Sequence, residues 1–538
     1  MRKTLGIAGV LAMCALMVLA QRPKTRTISL DELRDKIEGG WAGQMIGVSF
    51  GAPTEFRFRE QIIEGALPEW KPERISNSLN QDDLYVDMTF AKVLDDKGIG
   101  ATTEDFGAMF KDAQYALWHA NLAARRALKR GVSATLTGTP KYNAHANDID
   151  FQIEADFIGL MAPALPQSAT DIAHKAGRVM NYGDGIYGGV FVSCMYSAAF
   201  FETNPRKVVE AGLACLPRNS PYALTIADVL DWSKQNTDWK ATWKLVESKW
   251  NTREPCPEGA KQPFNIDAKL NGAYIALGLL YGNSDFWKTL EISTRAGQDS
   301  DCNPSNACGV LGTMLGYKRI PNEWKSGIPA IAGQKFRYTE FTFESIVDST
   351  LKRAIALAES TGGKRSGDVL TIATQAAKPP KLEIWDDFGT PAERIAIEDP
   401  RWQWKGDWQT DKRVKRSSAK GSEASIEFEG SGAIVVGPYL PNGGKADVYL
   451  DGRLDRTVDV FPDEKAAKSG ESVWHVFGLK RSKHVVRVSV RGEPYPGASG
   501  SEIGIQDFGG LPLGQTGSST TVFIVLLILW SFVIYLFL

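Results

Sequence analysis

The sequence predicts a multidomain protein in which an all-α domain is followed by an antiparallel β-sandwich of jelly-roll type. From about residue 29 to residue 360, apolar residues recur at helical spacing, as in FESIVDSTLKRAIALAES. Beyond about residue 382 the pattern changes to short alternating strands such as ASIEFEG and HVVRVSVRG, separated by turn residues. A length of 538 residues also exceeds one ordinary core, so two or more domains are expected.

Composition excludes one class of partner. Hydrophobic residues make up 43% of the chain and charged residues 23%, which is typical of a globular protein. The formal net charge is −1, and Lys and Arg are spread along the chain without a long basic run. Because nucleic-acid binding relies on clustered positive charge, we expect no nucleic-acid partner.

Residues 1–20 have the pattern of a secretory signal peptide. Arg2 and Lys3 form a charged start, an apolar run follows, and Ala20 offers a small residue at a cleavage site. We therefore expect export and an extracytoplasmic location. Removal of this segment would leave five dispersed cysteines, which do not suggest a disulfide framework, although one pair could form outside the cytoplasm.

Residues 522–538 (VFIVLLILWSFVIYLFL) form an uncharged apolar run. With Thr520 and Thr521 included, a helix of this length would just cross a bilayer core of about 30 Å. We interpret the run as a membrane anchor that holds the folded domains outside the cytoplasm. A buried core helix and a processed sorting tail are the alternatives, and no Lys or Arg follows the run as a cytoplasmic anchor.

Composition shifts give the predicted domain boundaries. The all-α domain covers residues 27–362 and ends near Thr361-Gly362-Gly363. Residues 363–381 mix Gly, Lys, Ser and a Pro-Pro pair, which indicates a linker. The β-sandwich covers residues 382–508, and a second linker covers residues 509–521.

The helical domain carries an unusual set of acidic segments. They are NQDDLYVDM with Asp82, Asp83 and Asp87, NDIDFQIEAD with Asp148, Asp150, Glu154 and Asp156, NYGDGIYGG with Asp184, and GQDSDCN with Asp299 and Asp301. Any one pair is most often a solvated surface face. Several sets within one apolar domain indicate a site instead.

Clustered carboxylates with neighbouring Asn, Gln or Ser suit hard cations such as Mg²⁺ and Ca²⁺, which take oxygen ligands. Zinc fits less well, because the five histidines include no pair at ligand spacing. Asn303 can cap a helix that Pro304 opens. Asp299 and Asp301 would then lie just before a helix start, where the helix dipole favours ionised carboxylates.

The order of these motifs resembles the ADP-ribosylglycohydrolase family. The resemblance rests on GVSFGAPTEF (47–56), QDDLYVDM (81–88) and GQDSDCNPSNACGVLGTMLG (297–316), and the third motif is the most specific. The resemblance covers most of the helical domain. It implies an all-α fold, two Mg²⁺ ions between the first and last acidic motifs, and hydrolysis of a glycosidic bond to ADP-ribose.

Matched by position, the resemblance assigns Asp82 and Asp83 to the first metal pair and Asp299 and Asp301 to the second. It also matches Glu55 to a site carboxylate, so Glu55 and Asp299 are the expected catalytic residues. Bound metal would orient ribose hydroxyls and lower the pKa of a water molecule. A carboxylate would then act as general base toward an oxocarbenium-like centre.

The chain departs from the family pattern at several positions. Gln81 and Leu84 stand where threonines usually flank the first pair, Cys302 replaces the closing Thr, and Val48 replaces an Asp. The expected cofactor is therefore one or two Mg²⁺ ions, with Ca²⁺ as the alternative. The acidic segment NDIDFQIEAD stands where a more neutral stretch is usual, which suggests a different substrate pocket.

We predict that four acidic residues bind the substrate: Asp148, Asp150, Glu154 and Asp184. A structural role is the alternative for the first three.

The C-terminal module resembles galactose-binding-like or carbohydrate-binding β-sandwiches over GSGAIVVGPYLPNGGKADVYLDGRLDRTVDVF and KHVVRVSVRG. Trp402, Trp404 and Trp408 could stack on sugar rings, since aromatic faces bury apolar sugar surface. The alternating pair Trp402 and Trp404 equally fits a core position. Sugar binding and a purely bracing role both stay open for this domain.

Three functions follow from these observations. The first is an extracytoplasmic, metal-dependent hydrolase of a glycosidic bond in a glycan or another glycoside. This is preferred over ADP-ribosyl hydrolysis because ADP-ribosylated proteins are mostly intracellular. The second is true ADP-ribosyl hydrolysis, and the third is a non-catalytic sugar-binding protein that retains the fold.

Overall fold

The structure is a computed structural model that describes residues 24–251, 263–384, 393–463 and 466–511. The predicted signal peptide and the predicted anchor at residues 522–538 lie outside these ranges. Within them, no helix combines the length and the apolar character needed to cross a bilayer.

The first part of the described chain is helical. Its α-helices, in chain order, are α1 (Leu30–Gly51), α2 (Asp82–Lys97), α3 (Thr103–Asp112), α4 (His119–Lys129), α5 (Ala134–Thr137), α6 (Asp150–Ile153), α7 (Asp156–Leu160), α8 (Pro166–Gly177), α9 (Asp184–Ala199), α10 (Pro205–Ala214), α11 (Pro221–Gln235), α12 (Trp239–Trp250), α13 (Ala268–Gly282), α14 (Phe286–Arg295), α15 (Cys302–Leu315), α16 (Asn322–Lys325), α17 (Ile328–Ile331) and α18 (Phe343–Ser360). Short 3₁₀ helices cover Pro72–Asn80 and Tyr317–Arg319.

Helix α1 organises the core of this domain. It begins after Ser29, whose Oγ accepts a hydrogen bond from the backbone N–H of Glu32 at 3.1 Å. From Gly39 to Gly51 every residue is buried, because α1 is enclosed by its neighbours and packs most extensively against α15. A helix that is enclosed on all sides needs small or apolar residues on every face, which explains its glycine-rich sequence.

The segment 363–381, predicted to be a linker, instead begins with two strands. β2 (Lys364–Ser366) and β3 (Val369–Ala373) form a hairpin, and β3 pairs antiparallel with β1 (Thr25–Ser29). Leu370 and Ile372 are fully buried on one face of this small sheet. The Gly and Ser content therefore marks a hairpin turn against the helical domain, and this hairpin brings the start of the described chain beside β3.

The C-terminal part consists of antiparallel sheets, so the predicted order of a helical domain and a β domain is confirmed. Its strands are β4 (Glu393–Ala396), β5 (Gln403–Lys405), β6 (Gln409–Asp411), β7 (Val414–Ser417), β8 (Glu423–Gly430), β9 (Gly432–Tyr439), β10 (Gly444–Leu450), β11 (Arg453–Asp459), β12 (Lys468–Val476), β13 (Ser482–Pro494), β14 (Ile503–Ile505) and β15 (Asp507–Leu511).

Two larger sheets form this domain. One has the strand order β11-β10-β13-β8-β5 and the other β12-β9-β15-β4, while β14-β7-β6 form a smaller third sheet. β15 continues to Leu511 and thus takes in the first residues of the predicted second linker, because residues 509–511 pair with β9. The exact domain boundaries otherwise stay predictions.

One disulfide joins two helical elements. Cys194 on α9 is bonded to Cys215, which follows α10, with 21 residues of sequence separation. Cys302 and Cys308 are free and buried, and Cys256 lies outside the described residues. The sequence left room for one such pair, and the structure shows which two cysteines form it.

The tryptophans proposed for sugar stacking lie at the start of the β domain. Trp402 is only 5% exposed and stacks on Trp404 with ring centroids 5.0 Å apart. Its edge meets Phe508 of β15 at 6.1 Å. Trp402 is thus a core residue, while Trp404 and Trp408 are partly buried. Sugar binding at the latter two stays a prediction.

Candidate active site

The last acidic motif is held in place by the glycines of α1. A Cβ added at Gly47 would lie 2.2 Å from the carbonyl oxygen of Pro304, and one at Gly51 would lie 2.1 Å from that of Ser300. Only glycine allows this approach. The backbone of GQDSDCN is therefore fixed directly against the end of the first motif.

Helix α15 begins earlier than the sequence indicated. Its first residue is Cys302 and its N-cap is Asp301, whereas Asn303 was the predicted cap. The backbone N–H of Asn303 already bonds to the carbonyl of Asp299 at 3.1 Å, so the helical turn starts two residues sooner. Asp301 consequently lies at the helix start itself, where the positive end of the dipole favours a carboxylate.

The first acidic pair lies in the first turn of α2. Asp83 is fully buried, and Asp82 is partly exposed. The thiol of Cys302 donates a hydrogen bond to Oδ2 of Asp83 at 3.4 Å, which joins the first and last motifs. Burial, and then the charges of Asp82 and Asp299, raise the pKa of Asp83 well above its usual value.

The second pair forms a compact set of ligand atoms. Atoms of Asp299, Asp301 and Cys302 lie within 4.8 Å of one another, and each residue is at most 5% exposed. Burial raises the pKa of Asp299 to about 6, even though hydrogen bonds involving Asp301 and Cys302 lower it. The ionised carboxylates of Asp299 and Asp301 would repel each other, and a bound cation would relieve this repulsion.

Buried carboxylate oxygens without a hydrogen-bond partner indicate whether these residues could bind a metal ion. Among the described residues, the buried Oδ1 atoms of Asp83, Asp299 and Asp301 have no hydrogen-bond partner. Buried carboxylate oxygens are normally paired. Three unpaired oxygens from two motifs that the Cys302–Asp83 contact brings together match the oxygen-rich ligand sets of Mg²⁺ and Ca²⁺. The thiol of Cys302 is a softer donor than the threonine hydroxyl of the family pattern.

Glu55 lies beside this cluster. The residue is exposed as a whole, yet loss of water around its carboxyl, followed by the charges of Asp299 and Asp82, raises its pKa to about 8. Its charge in turn contributes to the raised pKa of Asp301. Glu55 thus shares the electrostatic environment of both acidic pairs, and its role as a site carboxylate stays a prediction.

The acidic segment 148–156 adjoins the same cluster. Asn121 of α4 donates its backbone N–H to Asp150 at 2.9 Å and its side-chain amide to Glu154. The pKa of Asp150 is raised to about 7 and that of Glu154 well above its usual value, mainly by burial and in part by the charge of Asp82. Asp150 and Glu154 therefore lie in the electrostatic field of Asp82, and substrate binding by them stays a prediction.

Asp148 and Asp184 have further contacts. Asp148 is fully buried and meets Nδ1 of His145 at 2.8 Å. Asp184 accepts a hydrogen bond from the backbone N–H of Tyr222 at 3.2 Å, at the start of α11. That contact joins α9 to α11, which is a structural role. Substrate binding by either residue stays a prediction.

Several site residues were not among the predicted ones. Asp87 is fully buried one turn after Asp83 and accepts a hydrogen bond from Gln44 at 3.2 Å. Its neighbour Asp156 accepts a hydrogen bond from Asn306 at 2.8 Å. The spacing of Asp83 and Asp87 placed them on one helix face, but nothing in the sequence pointed to Asn121, which binds Asp150 and Glu154 from a separate helix.

Fold and site together define a helical protein with a carboxylate-lined centre built from its first and last motifs. The family model described as ADP-ribosylglycohydrolase matches residues 29–359. The chain therefore belongs to the ADP-ribosylglycohydrolase family, which indicates a glycosyl-hydrolase-like function in general.

Solved structures resemble parts of the chain. An ADP-ribosylglycohydrolase-related protein complex is 16% identical over 60% of this chain and 98% of its own, with a TM-score of 0.38. The CBM36-1 domain of a xylanase from the hindgut metagenome of Trinervitermes trinervoides is 8% identical over 22% of this chain and 94% of its own, with a TM-score of 0.17.

A family two carbohydrate esterase from Cellvibrio japonicus is 17% identical over 22% of this chain and 35% of its own, with a TM-score of 0.17. A search of curated protein sequences finds no match.

Proposed function

We propose that this chain is an exported hydrolase that uses a divalent cation to cleave a glycosidic bond in a glycan or another glycoside. One observation carries the proposal: Asp83, Asp299 and Asp301 each have an unpaired buried oxygen, and Cys302 hydrogen-bonds Asp83 while it clusters with the other two. Asp82 completes the predicted ligand set. A bound Mg²⁺ or Ca²⁺ would supply Lewis-acid polarisation and orient sugar hydroxyls.

The residues of the chain have distinct roles in this proposal. Asp82, Asp83, Asp299 and Asp301 would hold the cation, and the turn of backbone at the start of α15 fixes the last two. Glu55, which is exposed, would exchange a proton with water or with a substrate oxygen. Asp150 and Glu154 would accept hydrogen bonds from sugar hydroxyls bound near Asp82.

Four observations support a different glycoside outside the cytoplasm. Disulfides such as Cys194–Cys215 persist in oxidising compartments. Residues 1–20 have the signal-peptide pattern, and the apolar run 522–538 supports anchorage at a membrane. The acidic pocket segment beside Asp82 differs from the neutral stretch that is usual in the family, which favours a different sugar.

ADP-ribosyl hydrolysis is the second candidate, favoured by the family match itself. A non-catalytic sugar-binding role is the third, favoured by Cys302 and by the residues Gln81 and Leu84 that replace hydroxyl ligands. The purified chain would be assayed with a panel of aryl glycosides and with ADP-ribose conjugates, with Mg²⁺, Ca²⁺ or EDTA.

Metal-dependent cleavage of an aryl glycoside supports the proposal. Cleavage of ADP-ribose conjugates alone favours the second candidate, and the absence of both metal binding and cleavage refutes the enzyme. Asp299→Asn should abolish metal binding measured by titration calorimetry. Unchanged affinity would place the metal elsewhere.

A further inference from the structure

A cavity of about 950 Å³ lies between the helical domain and the β-sandwich. Arg59, His119 and Phe264 line it from the helical side, and Arg413 and Gln506 are among the residues that line it from the sandwich side. This volume is at the upper end of the range found for ligand pockets, about 300–1,000 Å³. Neither domain forms the cavity alone.

The helical side of the cavity is an aromatic platform. The ring of Phe264 lies 4.8 Å from that of Phe56 and 5.6 Å from that of His119. The guanidinium of Arg59 lies over the Phe264 ring at 5.0 Å. Aromatic faces combined with polar edges are suited to sugar rings, which carry an apolar face and a rim of hydroxyls.

The platform adjoins the acidic site. The backbone N–H of Phe56 donates to the carbonyl of Gln298 at 2.9 Å, so Phe56 links Glu55 to the residue before Asp299. Phe56, Gln298 and His119 all have left-handed backbone, with φ of 48°, 53° and 44°. Non-glycine residues in this region are strained, and such strain concentrates at functional sites.

The charged groups of the cavity have an excess of guanidinium. Arg59, Arg394 and Arg413 line it together with two carboxylates, Glu398 and Asp507. Arg394 forms an ion pair with Asp507 at 3.0 Å. The planar fork of an arginine matches a carboxylate in two parallel hydrogen bonds. The cavity therefore differs in charge from the acidic centre next to it.

The sandwich wall is fixed against the helical domain. Arg126 of α4 and Arg130, which follows α4, bind Asp459 at the end of β11, at 3.3 Å and 2.7 Å. The guanidinium of Arg126 also lies 3.7 Å from the centre of the Tyr439 ring. These side chains are largely buried. We call this contact of Arg126 and Arg130 with Asp459 the arginine clamp. It holds α4, which begins at His119, against the β-sandwich and so fixes the two walls of the cavity relative to each other.

We propose that this cavity is a substrate subsite shared by the two domains. It would bind the part of the glycoside beyond the scissile bond and would take a sugar chain that carries carboxylate groups, such as a uronic-acid oligosaccharide. The identification of this ligand as part of a substrate rests on the proposed glycosidase function. The β-sandwich would thus contribute residues that select the substrate.

Binding without turnover tests the subsite. The full chain would be titrated calorimetrically in EDTA with trigalacturonate, with the neutral trisaccharide maltotriose, and with ADP-ribose. Trigalacturonate should bind at least ten-fold more tightly than either of the others. The double variant Arg59→Ala/Arg413→Ala should weaken its binding at least ten-fold, and Gln506→Ala should weaken it less. Arg481→Ala, an exposed arginine between β12 and β13, is the matched control and should have no effect.

Several results would overturn the subsite: no binding of trigalacturonate, equal binding of maltotriose, tighter binding of ADP-ribose, or binding that the double variant leaves unchanged. Asp299→Asn separates this proposal from the proposed function. If this variant still binds trigalacturonate, the subsite does not depend on the metal centre. If the unmodified chain also cleaves no glycoside, the hydrolase is rejected while the binding site is retained.

Discussion

The thiol of Cys302 donates a hydrogen bond to Oδ2 of Asp83 across 3.4 Å. The residue at which the last motif departs from the family pattern therefore touches the first motif. A sulfur at this position brings a softer donor into a site otherwise built from carboxylate oxygens. The choice of cation is the property that this contact should control.

Replacing Cys302 with the family residue tests that relationship. Cys302→Thr should increase Mg²⁺ affinity by about ten-fold and decrease Cd²⁺ affinity, because an oxygen donor favours the harder cation. Titration calorimetry with each metal measures the ratio. Cys308→Ser, at the other free buried cysteine, should leave the ratio unchanged. An equal ratio in Cys302→Thr would show that this side chain does not reach the metal.

The close contact of α1 and α15 should be intolerant of a single methyl group. Gly47→Ala would place a Cβ 2.2 Å from the backbone of Pro304, so α15 must move away. We expect a loss of about 3 kcal/mol in unfolding free energy, together with weaker metal binding. Gly65→Ala is the matched control, since no atom lies within 4 Å of the added Cβ. Urea denaturation and calorimetry give both quantities, and a stable Gly47→Ala with normal affinity would contradict the packing argument.

The metal-free chain should lose stability as pH rises from about 6.5 to about 8.5. Unfolded carboxyls release their protons near pH 4. The folded chain retains protons on Asp150, with a pKa of about 7, and on Glu55, with a pKa of about 8, because burial opposes their ionisation. The folded state then binds more protons than the unfolded state, so the unfolding free energy falls with pH. The buried His119, His174 and His475 have lowered pKa values and bind fewer protons than unfolded histidines, which opposes this trend near pH 6.5 and fades by about pH 7.5.

Urea denaturation in EDTA at several pH values measures this slope. Asp150→Asn removes one of the raised carboxyls and should make the slope shallower, while the asparagine oxygen can still accept the hydrogen bond from Asn121. Saturating Mg²⁺ should reduce the slope as well, because a cation compensates the ionised carboxylates. A flat or rising profile in the metal-free chain would contradict the raised pKa values.

The arginine clamp should contribute strongly to docking of the β domain. Asp459→Asn removes one of the two carboxylates, Asp459 and Asp463, that pair with the guanidinium groups of Arg126 and Arg130 in a largely buried contact. We expect the unfolding free energy to fall by about 3 kcal/mol. Glu427→Gln breaks an exposed ion pair with Lys483 and should cost at most about 1 kcal/mol. Equal losses in the two variants would show that the clamp behaves as a surface pair.

The disulfide should stabilise the helical domain independently of the site. Replacing Cys194 and Cys215 together by Ala should lower the unfolding free energy by about 3 kcal/mol, as expected for a closed loop of about 20 residues. Metal affinity should be unchanged, because neither cysteine belongs to the acidic cluster. Thermal or urea denaturation with and without reductant gives the first quantity. An unchanged midpoint under reducing conditions would argue against the bond.

The sequence by itself determined the two fold classes and the residues of the acidic motifs. Periods of 3.6 and 2 residues report local backbone geometry, so the change from helices to strands near residue 382 was readable along the chain. Asp82, Asp83, Asp299 and Asp301 could be selected because their motifs are local and specific. Within the predicted linker 363–381, residues 364–373 form a hairpin that pairs with β1, and such a hairpin uses the same Gly and Ser residues as a flexible segment.

Only the tertiary structure decided which side chains share one environment. Asn121 lies near neither acidic motif in the chain, yet it binds Asp150 and Glu154 because α4 packs beside α6. The cavity between Phe264 and Arg413 joins residues from two domains, and no local pattern encodes such a distance. Periodicity specifies which face of an element is buried, whereas the partner that covers that face depends on long-range packing. The sequence therefore identified the carboxylates that are proposed to bind metal, and the packing of the two domains defined the cavity between Phe264 and Arg413.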